Sequence, residues 1–205
     1  YNTWMRSLEI ELSAKTPTHI LGGIAIGRAV QVIGYKDKVT VVGGTAYDLL
    51  VERDLNMVPT KNEDGRNRDV DVIHSQDINW PNLLLTTTKF CPEVKIDDAL
   101  CSMYRLINNQ ATMEDGLVIQ RIHPQIFSPI FVRVNSIEIP VVRPQTLKRM
   151  LIAAYEEIGR PKDKKRAEKL EEVFPEYPLP FSESQLSVFS DFRKDKAKKY
   201  PITEL

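Results

Sequence analysis

The sequence has few cysteines, no net charge and no long apolar run. Its 205 residues contain two cysteines, Cys91 and Cys101, without the Cys-x-x-Cys spacing of zinc or redox sites. A disulfide scaffold is therefore excluded, and a reducing, cytoplasmic setting is expected. Basic and acidic residues number 28 each, so the formal net charge is zero. Any nucleic acid would have to be recognised locally rather than through a global basic field.

The most apolar stretch, "HILGGIAIGRAVQVIGY", is broken by Arg28 and by glycines. It falls short of the roughly 20 apolar residues that a membrane helix needs, so we expect no transmembrane span, no signal peptide and no membrane partner. Its "GGIAIG" segment follows a polar Thr-Pro-Thr and not a strand, which is the wrong context for a dinucleotide-binding turn. Close packing of a glycine-rich helix explains these glycines better.

The spacing of apolar residues predicts an α/β (α+β) fold. Trp4, Met5, Leu8 and Leu12 have helical spacing, so residues 3–14 are predicted to form a helix ahead of the glycine-rich one. Two further helices are predicted at "TAYDLLVER" and "DALCSMYRLINN". Strands are predicted at "KVTVV", "RDVDVI", "EVKID", "GLVIQRI", "IFVRV" and "IEIPVV". A mixed sheet of about five strands, flanked by helices, follows from this order.

The character of the chain changes after "VVRPQ", where charge-rich, helix-forming sequence begins. Residues 1–143 are therefore predicted to form the sheet domain together with the N-terminal helices. Residues 144–205 are predicted to form a C-terminal helical region, in which basic and acidic residues alternate as they do on solvated helix faces.

Two aspartates alternate with valines in "RDVDVI". Because side chains of a strand point to alternate faces, Asp69 and Asp71 share one face. Two carboxylates at this spacing form half of a site for Mg²⁺, and their mutual repulsion favours a cation. A strand edge protected by charge is the alternative interpretation of the same pattern.

Gly43, Gly44 and Thr45 lie between a β-branched strand and a predicted helix. The backbone N–H groups and the dipole at a helix start attract anions, and the missing Cβ atoms let a phosphate approach the backbone. Thr45 adds a hydroxyl that could cap the helix and contact phosphate. A triphosphate held at this turn, and bridged by metal to Asp69 and Asp71, joins the two motifs in one interpretation.

This order of strand, glycine pair, helix and paired aspartates, "VVGGTAYDLL…RDVDVI", resembles the signature of the DNA polymerase beta-like nucleotidyltransferase superfamily. The segment "NMVPTKNEDGRN" makes the gap between the two motifs longer than in the most compact members. The chain most resembles the bacterial and archaeal branch that includes AbiEii-type toxins and minimal nucleotidyltransferases. The resemblance covers about residues 38–173 and implies a nucleotidyltransferase fold.

That branch typically continues with a strand that carries Lys-x-Asp/Glu, and "VKID" is similar, with Lys95 and Asp97 at this spacing. The resemblance implies that Asp97 is a third metal-binding carboxylate and that Lys95 offsets phosphate charge. Asp98 takes the place of Asp97 if the strand register shifts by one residue. An ordinary surface strand end is the other interpretation.

Two later segments, "IPVVRPQTL" and "GRPKDKKRAEKLEEV", are also similar to this branch. The second contains an Arg-x-Lys-Asp stretch formed by Arg160, Lys162 and Asp163. The lysine that is common in the first of these helices aligns with Leu151 here. Lys148 lies one turn earlier on the same helix face and is the candidate for nucleotide binding from this region.

The resemblance implies an enzyme that transfers a nucleoside monophosphate from an NTP to an acceptor, with Mg²⁺ or Mn²⁺. Two metal ions would clamp an in-line displacement, with Asp69 and Asp71 bridging both and Asp97 holding the ion that activates the acceptor. The acceptor stays open between an RNA end such as that of tRNA, a protein hydroxyl and a small molecule, and a cognate antitoxin is an expected partner. The alternative function is a catalytically inactive nucleotide-binding or toxin-antitoxin interaction module on the same fold.

Overall fold

The computed structural model of the chain describes residues 5–63, 65, 68–74, 78–93, 96–98 and 129–175. In these residues there are six strands: β1 (Met5–Leu8), β2 (Val39–Val42), β3 (Val70–His74), β4 (Ile96–Asp98), β5 (Ile130–Val134) and β6 (Ile137–Val141). The α-helices are α1 (Thr18–Ile33), α2 (Gly43–Val51), α3 (Trp80–Phe90), α4 (Pro144–Ile158) and α5 (Pro161–Val173), and a 3-10 helix spans Leu55–Met57.

The strands form one mixed sheet in the order β1, β5, β6, β2, β3, β4. β2 and β3 are antiparallel, β5 and β6 are antiparallel, and the other three neighbouring pairs are parallel. All four residues of β2 are buried, as the unbroken β-branched run predicts for a central strand. The predicted α/β class, with a mixed sheet flanked by helices, is confirmed, and the described sheet has six strands rather than about five.

The N-terminal segment corrects one prediction. Residues 3–14 were predicted to form a helix, but Met5–Leu8 is a strand that pairs in parallel with β5 at the edge of the sheet. This segment has too few apolar residues for their spacing to distinguish an amphipathic helix from a strand with one buried face. Pairing with β5 decides between the two, because it satisfies the backbone hydrogen bonds of the segment from another part of the chain.

Two glycines of α1 explain the "GGIAIG" segment. A Cβ atom on Gly27 would lie 2.8 Å from the carbonyl oxygen of Glu138 and 2.9 Å from Cγ2 of Ile137, so α1 approaches β6 very closely. A Cβ atom on Gly23 would lie 3.4 Å from Cγ2 of Thr45, where α1 packs against α2. The prediction that these glycines serve helix packing is confirmed.

Helix α3 was not predicted, although its start carries a recognisable signal. The side chain of Asn79 accepts a hydrogen bond from the N–H of Asn82 at 3.0 Å, and Pro81 occupies the first turn. An Asn cap followed by Pro is a common helix start. Three predicted parts lie outside the described residues: the helix "DALCSMYRLINN" beyond Asp98, the strand "GLVIQRI" and the predicted helical region beyond residue 175.

The described chain divides into two compact units. The first contains the six strands with α1 to α3 and ends at Arg143, and the second begins at Pro144 and contains α4 and α5. None of the helices described here combines the length and the apolar character that a membrane crossing requires.

The packing of α1 predicts opposite outcomes for two similar substitutions. Gly27→Ala should lower the free energy of unfolding by about 1–3 kcal/mol, because its methyl group meets the backbone carbonyl oxygen of Glu138, which cannot rotate away. Gly23→Ala should leave it unchanged or raise it by up to about 1 kcal/mol, because alanine favours the helix and its neighbours here are side chains at ordinary contact distance. Urea unfolding of both variants checks this. Equal effects would show that α1 does not approach β6 as described.

Candidate functional site

Helix α2 begins at the residue that follows β2, with no linker between them. Gly43 makes the turn with φ +66°, a left-handed conformation that favours glycine. No side chain at Val42 caps the helix, and its first turn contains no acidic residue. The first amides of α2 thus receive no cap from the side chain of Val42, and the positive end of the helix dipole lies beside them.

The carboxylate of Asp71 lies directly against the backbone of Gly43. A Cβ atom at Gly43 would overlap Oδ2 of Asp71 and would lie 3.2 Å from its Cγ. The absence of a side chain at Gly43 therefore serves an internal contact, in addition to any phosphate that approaches the turn. This contact brings the glycine motif and the aspartate motif together at one end of the sheet.

The register of the strands places Asp97 in the same row as Asp71. Asp71 pairs with Val42 of β2 on one side and with Asp97 of β4 on the other, whereas Asp98 pairs with Val72. Residues that pair directly share one face of a sheet. Asp97 therefore lies on the face of Asp71, and Asp98 belongs to the opposite face. The side chain of Asp97 is outside the described part, so its role stays a prediction.

Thr45 fastens the first turn of α2 to the aspartate motif. Its side chain is buried, and its hydroxyl donates a hydrogen bond to the carbonyl oxygen of Asp69 at 3.2 Å. The structure thus gives Thr45 a positioning contact, while a direct contact between Thr45 and phosphate stays a prediction.

A buried ionic cluster, missed by the sequence interpretation, lies beneath these two motifs. Oδ2 of Asp48, one turn after Thr45 in α2, is 2.6 Å from NH2 of Arg68 and 3.1 Å from Nε2 of His19. All three side chains are buried. Arg68 immediately precedes Asp69, so this cluster connects the helix of the glycine turn with the strand of the aspartates.

Two of the predicted nucleotide-binding residues are not placed at this site. Lys95 lies outside the described residues. Lys148 belongs to α4 in the second unit, where its ammonium group forms an ion pair with Glu171 of α5. In the same unit, Nε of Arg160 donates to Oδ2 of the buried Asp163 at 2.8 Å, which fixes the start of α5. Nucleotide binding by Lys95 or Lys148 stays a prediction.

The donors at the aspartate motif suit a hard divalent cation. Asp69 and Asp71 are half-buried and provide carboxylate oxygens, the ligands that Mg²⁺ and Mn²⁺ prefer. Among the described side chains, no group of three or more His, Cys, Asp or Glu residues is arranged to hold a metal ion. The side chain of Asp97, the predicted third carboxylate, is not among the described side chains.

The contact between Gly43 and Asp71 can be tested by comparing the substitution of Gly43 with that of another glycine whose φ is positive. Gly34 also has a positive φ, +82°, but a Cβ atom there would have nothing within 4 Å. Gly34→Ala should cost about 1 kcal/mol of backbone strain. Gly43→Ala should cost about 1–3 kcal/mol more, because it must also displace the Asp71 carboxylate. Urea unfolding measures both, and equal losses would show that Asp71 does not lie against the turn.

Comparison with known proteins gives little sequence similarity. No protein-family model matches the chain. No curated protein matches it. A solved structure, the crystal structure of an antigenic nucleotidyltransferase-like protein from Paracoccidioides brasiliensis, is similar over 93% of this chain and 91% of its own, with 16% sequence identity and a TM-score of 0.49. Since this similarity is too low to assign chemistry, the function is inferred below from the residues of this chain.

Proposed function

We propose that this chain is a metal-dependent nucleotidyltransferase, which transfers a nucleoside monophosphate from an NTP to an acceptor hydroxyl. The observation that carries the proposal is the contact between Gly43 and Asp71. It brings the start of α2, which the side chain of Val42 does not cap, beside a carboxylate of the kind that divalent cations prefer. A triphosphate with its divalent cation requires both, because its phosphate oxygens need hydrogen-bond donors and its cation needs oxygen ligands.

The glycine turn would bind the phosphates. The backbone amides at the start of α2 would donate hydrogen bonds to the phosphate oxygens, and the helix dipole adds a partial positive charge. The first turn of α2 contains no acidic residue, and the cation proposed to bind Asp71 would offset the charge of that neighbouring carboxylate. Lys95 would add a formal positive charge, in keeping with the sequence prediction.

The aspartates would hold Mg²⁺ or Mn²⁺, with Asp69 and Asp71 as ligands and Asp97 as the third. When bound, the cation neutralises charge on the phosphate oxygens and favours loss of the acceptor proton. The register supports Asp97 in this role, since it pairs directly with Asp71. Like charges so close together would otherwise raise the free energy of the folded chain, which is why a cation at this place also stabilises it.

The reaction needs positioning more than covalent chemistry from the protein. An acceptor oxygen attacks the α-phosphorus, the bond from that phosphorus to the bridging oxygen breaks, and pyrophosphate leaves with the electron pair. The acceptor proton passes to solvent. Donors fixed at the start of α2 and carboxylates fixed on β3 hold the phosphates in line without having to rearrange, which lowers the barrier.

The AbiEii-type branch is the form of this proposal that the motifs favour. The "VKID" and Arg-x-Lys-Asp segments support it, since both have the spacing of that branch. The acceptor is then an RNA end such as that of tRNA, a protein hydroxyl or a small molecule. A chain without net charge favours an acceptor with a small footprint, because a long nucleic-acid contact needs many basic residues.

Transfer of label from α-labelled NTPs tests the proposal. Each of the four NTPs is incubated with Mg²⁺ or Mn²⁺, total RNA and cell extract, and labelled products are separated into RNA, protein and small molecules. The wild type should label one of these pools. The double variant Asp69→Asn/Asp71→Asn should lose at least about 100-fold of this activity, because the carboxylate charge that holds the cation is gone.

The control is Asp37→Asn, which makes the same kind of substitution and removes one carboxylate charge at an exposed turn of the same unit. It should keep the wild-type rate. Absence of transfer to any pool, with NTP binding intact, would contradict the enzyme and leave a nucleotide-binding module on this fold.

A further inference from the structure

The buried cluster of Asp48, Arg68 and His19 has no part in the chemistry proposed above. We name it the Asp48 cluster. Its three members come from different segments: α1, α2 and the residue just before Asp69. Their side chains are 4%, 7% and 0% exposed for Asp48, Arg68 and His19, so the group is almost completely removed from water.

A cluster of this kind does not follow from stability alone. Burying a carboxylate and a guanidinium loses most of their hydration, and well-packed apolar residues of the same volume often stabilise a fold as much or more. What an ionic cluster adds is a fixed distance, because opposite buried charges attract strongly and keep the segments that carry them in contact. Two of the three segments joined here, α2 and the residue before Asp69, carry the two halves of the candidate site.

Two contacts connect α2 to the start of the aspartate motif. Thr45 donates to the carbonyl oxygen of Asp69, and Asp48 pairs with Arg68. Thr45 and Asp48 are three residues apart and therefore lie on one face of the helix, and Asp69 and Arg68 are consecutive. A single contact would let the strand rotate about it, but two neighbouring contacts fix its rotation relative to the glycine turn.

Arg68 also holds the loop that leads into the motif. Its NH1 donates to the carbonyl oxygen of Pro59 at 3.2 Å, and its backbone N–H donates to that of Thr60 at 3.3 Å. One guanidinium group therefore forms an ion pair with the carboxylate of Asp48 through NH2 and a hydrogen bond to the loop through NH1. The rigid fork of arginine can do both at once, whereas the single ammonium of lysine cannot.

We propose that Arg68 is a positioning residue for the metal site: through Asp48, it sets where Asp69 and Asp71 lie relative to the turn at Gly43. This inference rests on the proposed function, because it assigns a role in binding the metal and triphosphate of that reaction. Arg68 itself touches neither. Its effect passes through the backbone that it shares with Asp69.

Arg6 offers a matched control. Its guanidinium also contacts α2, with NH1 donating to the carbonyl oxygen of Leu49 at 3.0 Å and NH2 to that of Glu52. These contacts are at the other end of the helix and do not involve the segment that carries Asp69. Arg6→Lys should loosen α2 as Arg68→Lys does, without moving Asp69 and Asp71.

The experiment measures Mn²⁺ binding by electron paramagnetic resonance, in the presence of inorganic tripolyphosphate. The temperature is one at which circular dichroism shows that each variant is folded. Arg68→Lys and the isosteric Asp48→Asn should each weaken Mn²⁺ binding by about 10–100-fold, the usual effect of losing a group that orients metal ligands. Arg6→Lys should bind Mn²⁺ as tightly as the wild type, even where its melting temperature falls as far as that of Arg68→Lys.

The inference is overturned if Arg68→Lys and Asp48→Asn bind Mn²⁺ with an affinity within about twofold of that of Arg6→Lys. The cluster would then have a purely structural role. In that case the proposed function stands, provided that Asp69→Asn/Asp71→Asn still abolishes binding. If the wild type binds Mn²⁺ no better than that double variant, the proposed function and this inference both fail.

Discussion

The antiparallel pairing of β2 with β3 is the constraint on which the candidate site depends. Val42 ends β2 and Asp71 lies opposite it, so the next residue after Val42 must turn away beside a carboxylate. Only glycine has the backbone freedom and the lack of bulk that this turn needs. A shift of this pairing by one residue would move Asp71 to the other face of the sheet and separate the helix start from the aspartates. The groups proposed to bind phosphate and cation are thus held together by sheet hydrogen bonds rather than by a flexible loop.

Most of the sheet and the two motifs could be predicted from the sequence, because each depends on residues close in the chain. The β-branched run of β2, the glycine pair and the alternation of Asp69 and Asp71 are local patterns, and each predicts its strand or turn without reference to distant residues. The same holds for α1, whose glycines were correctly assigned to packing. Asn79 and Pro81 carried an equally local signal for α3 that was not used.

The rest depends on contacts between distant residues, which a single sequence does not reveal. Met5–Leu8 is a strand because β5 lies beside it, more than a hundred residues later in the chain. The choice between Asp97 and Asp98 depends on the pairing of β4 with β3. His19, Asp48 and Arg68 look like ordinary polar residues in the sequence, and only the fold buries them together. Strand registers and buried polar clusters therefore depend on tertiary structure.

The position of β1 at the sheet edge has a consequence for how the chain folds. Met5 pairs with Phe131, so β1 cannot join the sheet until β5 has been synthesised, and closing such a long loop slows the step. The β2–α2–β3 segment has no such delay, because its two strands are close in the sequence. During synthesis on the ribosome, the β2–α2–β3 segment, which carries most of the candidate site, can therefore form early. Strand β1 is then among the last strands to join the sheet.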